Sequence, residues 1–527
     1  MAQSQNNETD MLKRIVAMGI TLSTEPNIDR LLELILELSQ SLLKADGGTL
    51  YRLTLEGNLR FTIVRNHSLK IKMGGTEGDP IDLNQMKDLP LLIDGKPNEK
   101  NIAAQTAIAK KIFNVEDAYD AKGFDFSGAK AFDERVNYRT QSVLAIPLID
   151  HEDKVLGVLQ FINALNEKNE RIPFTDFHQS LAESLASQAA ISLQNRLLIN
   201  QLNKLFEALI NLINTAIDEK SPYTGGHCMR VPELTLMLAE ASHQETEGPL
   251  KGFHLTDKDR YELKIAGMLH DCGKITTPVH VVDKGRKLET IFDRMALIKT
   301  RFEIARRDLI IERLTKTNGD TLVLEKAFKA REEKLIDDLK FLETANVGGE
   351  RMKDEDIKRI ESIASQTWVD AEGHANPLLT EEEVYNLSIV AGTLTKEERN
   401  IINYHIEATI KLLNQIPWPE HLKHVVEFAG GHHERMDGKG YPKGLKRDEM
   451  SIQARCMGIA DIFEALTASD RPYKKGMSLS QSLSIMNRMK DEGHIDPDLF
   501  DVFMKHRVYL GYAKKFLQLE QIDIQVN

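Results

Sequence analysis

Cysteine is scarce in this chain. Only Cys228, Cys272 and Cys456 occur in 527 residues, and no two form a CxxC pair. That argues against a disulfide scaffold and a zinc finger, and fits a reducing compartment. No apolar run reaches the ~18 residues needed to span a bilayer. Met1 to Asp10 is polar and holds no apolar signal core, so a soluble, cytoplasmic protein is expected. A long basic run is also missing. Acidic residues outnumber basic ones, 80 to 68, for a net charge of −12. Binding to a nucleic acid polymer is therefore disfavoured, although a local cationic pocket for a small anion is compatible with this balance. What is present is ordinary globular material, 41% hydrophobic and 28% charged. The length suggests about three domains.

Three regions separate by pattern. In residues 1–175, Leu31, Leu32, Ile35, Leu38 and Leu42 recur at helical spacing. Gly48–Leu55 and Asn58–Asn66 read as strands turning at Glu56–Gly57. Ser142–Ile149 and Lys154–Ile162 read as a second hairpin around Asp150–Asp153. Helix, meander and closing hairpin predict an α+β domain with an antiparallel sheet. The run Leu159-Gln160-Phe161-Ile162-Asn163, then Phe174-Thr175-Asp176 and a long helix, resembles a GAF domain, a small-molecule sensor module. Cyclic-nucleotide-binding members tend to carry Asn-Lys and Asp-Glu in this motif. Here Ala164 and Phe177 stand in those places, so the ligand, if there is one, is left unidentified.

Residues 176–220 read as one helix without Gly or Pro. Its apolar residues Ile191, Leu198, Leu202, Leu205, Leu209 and Leu212 follow a heptad seam, with Asn195 at a core position. A buried Asn there favours a parallel pair of helices, so a homodimeric linker is expected.

Residues 221–527 read as almost entirely helical, with a helical hairpin inserted at about residues 285–392. Its first helix is drawn through Ile291, Met295, Ile298, Phe302, Ala305 and Leu309. Its second runs through Leu324, Phe328, Leu335, Leu339 and Leu342 to a break at Gly348–Gly349. Chemistry concentrates in His227, His270-Asp271, His405, His432-His433 and Asp461. Asp461 lies between Ile459, Ala460, Ile462 and Phe463, and Asp271 beside Leu269 and Cys272. Carboxylates in such surroundings need a cation or strong donors. Imidazoles and carboxylates suit iron, manganese or zinc. Seven are too many for one ion, whereas a pair ~3.5–4 Å apart with a bridging carboxylate suits phosphodiester hydrolysis.

His270-Asp271-Cys272-Gly273-Lys274 and the run His432-His433-Glu434 through Asp437-Gly438-Lys439-Gly440-Tyr441-Pro442 are both long and intact. They make the third region similar to an HD-GYP domain, a subclass of the HD metal-dependent phosphohydrolases. The resemblance implies hydrolysis of cyclic di-GMP to linear pGpG or GMP. It implies two divalent ions, iron or manganese ahead of zinc, held by His227, His270, Asp271, His405, His432, His433 and Asp461, with Asp271 bridging. Lys274 would meet the scissile phosphate, and Tyr441 would shape the loop beside the substrate. Arg471 and Lys474, in a matching basic segment, would grip a phosphate or a guanine edge.

Some members carry a Glu four residues before the first His and bind a third metal. Tyr223 stands there, so two metals are expected. His405 follows Asp271 by 134 positions, a gap that the insertion explains. Glu434 reads equally as a hydrogen-bond partner of a ligand imidazole or as a plain surface residue. The fold class that emerges is multidomain: an α+β sensor, a long linker helix and an all-α HD-type metallophosphohydrolase domain with a helical-hairpin insertion. Rival expectations are hydrolysis of another cyclic dinucleotide, such as a mixed GMP-AMP ring, and a catalytically weak scaffold acting through partners.

Overall fold

The computed structural model describes residue 13 and residues 16–220, 226–315, 321–348, 351–469 and 476–524. The chain divides into two compact units, within residues 1–206 and 207–527.

In the first unit, helix α1 (Ile28–Leu42) is started by Asn27, whose side chain accepts from the backbone N–H groups of Asp29 and Arg30. The main antiparallel strands are β1 (Ala45–Leu53), β2 (Asn58–Asn66), β3 (Ile71–Gly74), β4 (Phe113–Val115), β5 (Val143–Ile149) and β6 (Val155–Leu165). Their order is β3-β2-β1-β6-β5-β4, with Leu89–Pro90 added to β2 and Arg171–Ile172 to β6. β1 begins three residues before the expected strand and ends two before it, because the chain already turns at Thr54, whose carbonyl accepts from Gly57 N–H. Its register shifts between Leu50 and Tyr51.

Alternation along the strands makes two cores. Leu50, Leu144, Ile146, Leu148 and Phe161 face α1 and the start of the long helix α2 (Asp176–Lys220). Tyr51, Val143, Ala145 and Val158 face helices Ile102–Ala109 and Ser127–Val136. These short helices, β3 and β4 lie in residues 67–141, where periodicity gave no element. The motif residue Asn163 is fully buried and ties the domain to itself. Its Oδ1 accepts from Gln141 N–H at 2.7 Å, and its Nδ2 donates to the Tyr138 hydroxyl and the Arg139 carbonyl.

Ala182, Leu185, Ala189 and Leu193 on α2 join the first core. The other face carries the heptad seam. Ile191, Leu198, Leu202, Leu205, Leu209 and Leu212 are 44–63% exposed, and Asn195 is exposed among them.

Among its described residues the second unit is helical apart from one small hairpin. α3 (His227–His243), α4 (Asp257–Leu269), α5 (Lys396–Leu413) and α6 (Ile452–Thr467) frame its centre. The inserted segment is more than the expected two-helix hairpin. Helices Met295–Thr315 and Thr321–Asn346 are joined by helices Asp354–Ala364 and Glu381–Leu387 and by paired strands Thr367–Val369 and Ala375–Pro377. Leu288, Ile298, Phe302, Leu342, Ile360, Leu378 and Leu387 give the segment its own core. Ile291 is corrected: it precedes the first helix and is 96% exposed. At the root, the buried Lys284 Nζ donates to both oxygens of Glu398, at 2.8 and 2.7 Å. Glu398 also closes the capping box that starts α5.

Candidate metal centre

Each of the seven sequence-selected residues is placed by a helix or by the turn that adjoins one. His227 is the first residue of α3, after Gly226. His270 caps the C-terminus of α4, and Asp271 leads into the 3-10 turn Cys272–Thr276. His405 lies in the middle of α5. His432 and His433 follow helix Val425–Gly430, and Asp461 lies on α6.

Folding brings all seven together. Ligand-capable atoms of His227, His270 and Asp461 lie within 4.8 Å of one another, as do those of His405, His432 and His433. Asp271 stands between the two sets. Its Oδ2 is 3.1 Å from His227 Nε2 and 3.3 Å from His270 Nε2, and its Oδ1 is 3.3 Å from His405 Nε2.

The imidazoles are aimed by what holds their other nitrogen. His270 Nδ1 lies 2.7 Å from the Gly267 carbonyl, His432 Nδ1 2.6 Å from that of Ala429, and His405 Nδ1 meets that of Ile402. A carbonyl oxygen only accepts, so Nδ1 carries the proton and Nε2 turns a lone pair to the centre. His405 Nε2, His432 Nε2 and Asp271 Oδ1 are buried with no hydrogen-bond partner. Each unmet buried acceptor costs about 1–3 kcal/mol. Converging lone pairs of nitrogen and carboxylate oxygen are what a borderline divalent cation satisfies, so the residues fit such ions.

The electrostatics agree. Burial alone would raise the Asp271 carboxyl, but the Lys274 ammonium and the nearby imidazoles outweigh it and hold it well below the usual carboxylate range. Burial likewise opposes ionisation of Asp461, which the imidazoles of His227, His432 and His433 reverse. Burial holds His432 well below the ordinary imidazole range and brings His433 down to about 4. His227 moves the other way, because Asp271, Asp461 and Glu464 outweigh its burial.

Lys274 Nζ donates to Asp271 Oδ2 at 2.6 Å. The Tyr441 ring stacks on His433, with centroids 4.9 Å apart and planes 21° apart. Glu434 is neither of the two things its sequence context allowed, an imidazole partner or a surface residue. It is buried and accepts from Lys443 and Leu445 N–H, folding the loop after Tyr441 back on itself. Arg471 and Lys474 lie outside the described residues, as does Tyr223. Sequence reasoning missed Glu464, which is buried and hydrogen-bonded to His227 Nδ1. Its one readable signal was a charged residue three positions after Asp461 on an apolar helix.

Comparison with known proteins agrees with this architecture. A GAF domain model matches residues 27–193. An HD domain model matches residues 380–499, which include His405, His432, His433 and Asp461. The chain is 44% identical over 82 residues to the 3'3'-cGAMP-specific phosphodiesterase 1 of Vibrio cholerae, covering 16% of this chain and 19% of that one. It is 37% identical over 114 residues to a cyclic di-GMP phosphodiesterase of Pseudomonas aeruginosa, covering 22% and 26%. Over 331 residues it is 23% identical to the 3'3'-cGAMP-specific phosphodiesterase 3 of Vibrio cholerae, covering 63% and 44%. The chain thus matches less than half the length of each of these relatives. It matches a GAF domain model and, after it, an HD domain model whose span holds the run from His432 to Pro442.

Proposed function

We propose that this protein is a metal-dependent phosphodiesterase that opens cyclic di-GMP to pGpG, GMP or both, under the control of its GAF domain. The observation that carries the reading is the Asp271 carboxylate, with one oxygen turned to each set of imidazoles. In this reading His227, His270, Asp271, His405, His432, His433 and Asp461 hold two divalent ions, iron or manganese ahead of zinc. Such ions supply a nucleophilic hydroxide at neutral pH and polarise the phosphoryl oxygen.

The chain's own residues do the rest. The Lys274 side chain is one-fifth exposed, so its ammonium can turn from Asp271 to a substrate phosphate and stabilise the charge that develops there. Tyr441, held flat against His433, forms one wall beside the scissile group. Arg471 and Lys474 are assigned to the purine or the second phosphate on their sequence context.

Residues 1–175 are then the sensor, 176–220 a parallel two-stranded linker and 221–527 the catalytic domain, with its insertion at about 285–392. A second copy of the chain covers the exposed seam of α2. Among the described residues no helix is long and apolar enough to cross a membrane. With its three buried free thiols the enzyme is assigned to the cytoplasm. A small molecule in the GAF domain is the proposed input.

A second reading, hydrolysis of 3'3'-cGAMP, is supported by relatives named for that substrate. The test is turnover of both cyclic dinucleotides by anaerobically purified protein, with bound metal measured and products identified. Cyclic di-GMP should be turned over faster, and the His270→Ala and Asp271→Ala variants should be inactive and metal-poor. Variants as active as the wild type would refute the assignment. Faster turnover of 3'3'-cGAMP would favour the second reading.

A further inference from the structure

His227 poses a problem that His270, His405 and His432 do not. Each of those three hands its Nδ1 proton to a carbonyl three residues earlier in its own chain segment. His227 is the first residue of α3. The acceptor comes from another helix: Glu464 Oε2 meets His227 Nδ1.

Glu464 is itself held. Its Oε1 accepts from Arg230 Nε at 2.7 Å and lies 2.6 Å from Nη2, so the guanidinium holds one carboxylate oxygen while the other meets His227. The arrangement is reciprocal. Arg230 lies three residues after His227 on α3, and Glu464 three residues after Asp461 on α6. Residues three apart share a helix face, so each helix presents one residue to the centre and one to the clamp beside it. Gly226 leaves room for this. A Cβ there would lie 2.6 Å from Arg230 Nη1, and its backbone is left-handed, with φ +86°.

We infer that Arg230 and Glu464 form a positioning pair that fixes the tautomer and direction of His227. They set how tightly the His227 side of the centre holds its metal. The inference rests on the proposed metal centre and adds residues that touch neither metal nor substrate. A carboxylate acceptor also makes the imidazole a stronger donor than a carbonyl does. His227 therefore differs in donor strength from the other three.

The test is equilibrium dialysis of the full-length protein, stripped of metal, against Mn2+ and Fe2+ separately. Wild type, Glu464→Ala, Glu464→Gln and Arg230→Gln are compared, with urea unfolding of each metal-free form. Loss of an outer hydrogen-bond partner weakens metal binding about 10–100-fold. Glu464→Ala should show that loss for part of its bound metal. Glu464→Gln, which keeps an acceptor but not the charge, should fall between Ala and wild type, as should Arg230→Gln. Should Glu464→Ala not fold, the two Gln variants decide alone.

A purely structural pair would lower metal-free stability and leave metal affinity unchanged. Wild-type affinity in the folded variants overturns the inference while leaving the proposed function standing. A wild-type protein that takes up neither metal overturns both.

Discussion

Replacing Gly273 with alanine strikes the contact that brings the two halves of the metal centre together. A Cβ at that position would lie 1.9 Å from the His405 carbonyl oxygen and 2.5 Å from the Thr409 amide nitrogen. Real Cβ atoms essentially never approach closer than 3.0 Å, so the turn and α5 must part by roughly 1 Å. Both obstacles are backbone, and no side-chain rotation relieves them. The shift also strains two hydrogen bonds: Gly273 N–H to Thr409 Oγ1 at 2.9 Å, and Thr409 Oγ1 to the His270 carbonyl at 3.1 Å. Overpacking of this kind costs about 1–3 kcal/mol, and each bond lost adds about 1 kcal/mol.

The expected destabilisation is therefore about 3–5 kcal/mol, a large part of an ordinary domain's stability. The chemistry should suffer as well. Asp271 and His405 flank this contact, and a displacement near 1 Å costs a rate of order 10²-fold. Urea unfolding followed by far-UV circular dichroism, with bound metal and turnover measured alongside, reads all three effects. Gly128→Ala is the control, since a Cβ there meets nothing within 4 Å. It should leave every readout within error or raise stability slightly. A Gly273→Ala protein with the wild-type urea midpoint and turnover would refute the packing argument.

Three further outcomes are expected. Glu33 is fully buried, and burial would raise its carboxyl. Hydrogen bonds from Thr76, Arg30 and Arg65 outweigh that and lower it from 4.5 to about 2. A lowered carboxyl adds stability above its unfolded value and loses it as pH falls, here between about 4.5 and 2. The loss is about 3 kcal/mol and should vanish in Glu33→Gln when GAF-domain unfolding is followed against pH. Leu202→Asp combined with Leu209→Asp puts charge in the seam of α2 and should yield monomers in analytical ultracentrifugation. Unchanged mass would remove the coiled coil from the reading. Lys284→Met leaves the Glu398 carboxylate without its buried partner, and should cost about 3 kcal/mol in urea unfolding.

How much was legible depended on whether the signal was local. The motif residues of the centre could be named because each sits in a run of sequence that is itself distinctive. α1 followed from apolar spacing, and the extent of α2 from a run without Gly or Pro. Arg230 and Glu464 were not legible as a pair, since they meet across 234 positions. A lone charged residue on a helix reads as a solvated one. Glu434 misled for a related reason: adjacency to His433 suggested an imidazole partner, while the nearest unmet donors were backbone N–H groups nine and eleven residues on. The insertion's later helices were short. The capping box at Thr380 and Glu383 was the one cue to the second of them.

The residues that converge at the centre are spread from position 227 to position 461. A ribosome must pass position 461 before the last of them can arrive. A product cut short before Asp461 lacks part of the centre. On the proposed reading, a growing chain cannot act on the messenger until residue 461 has been made, and by then the sensor domain, which precedes the centre, has already emerged.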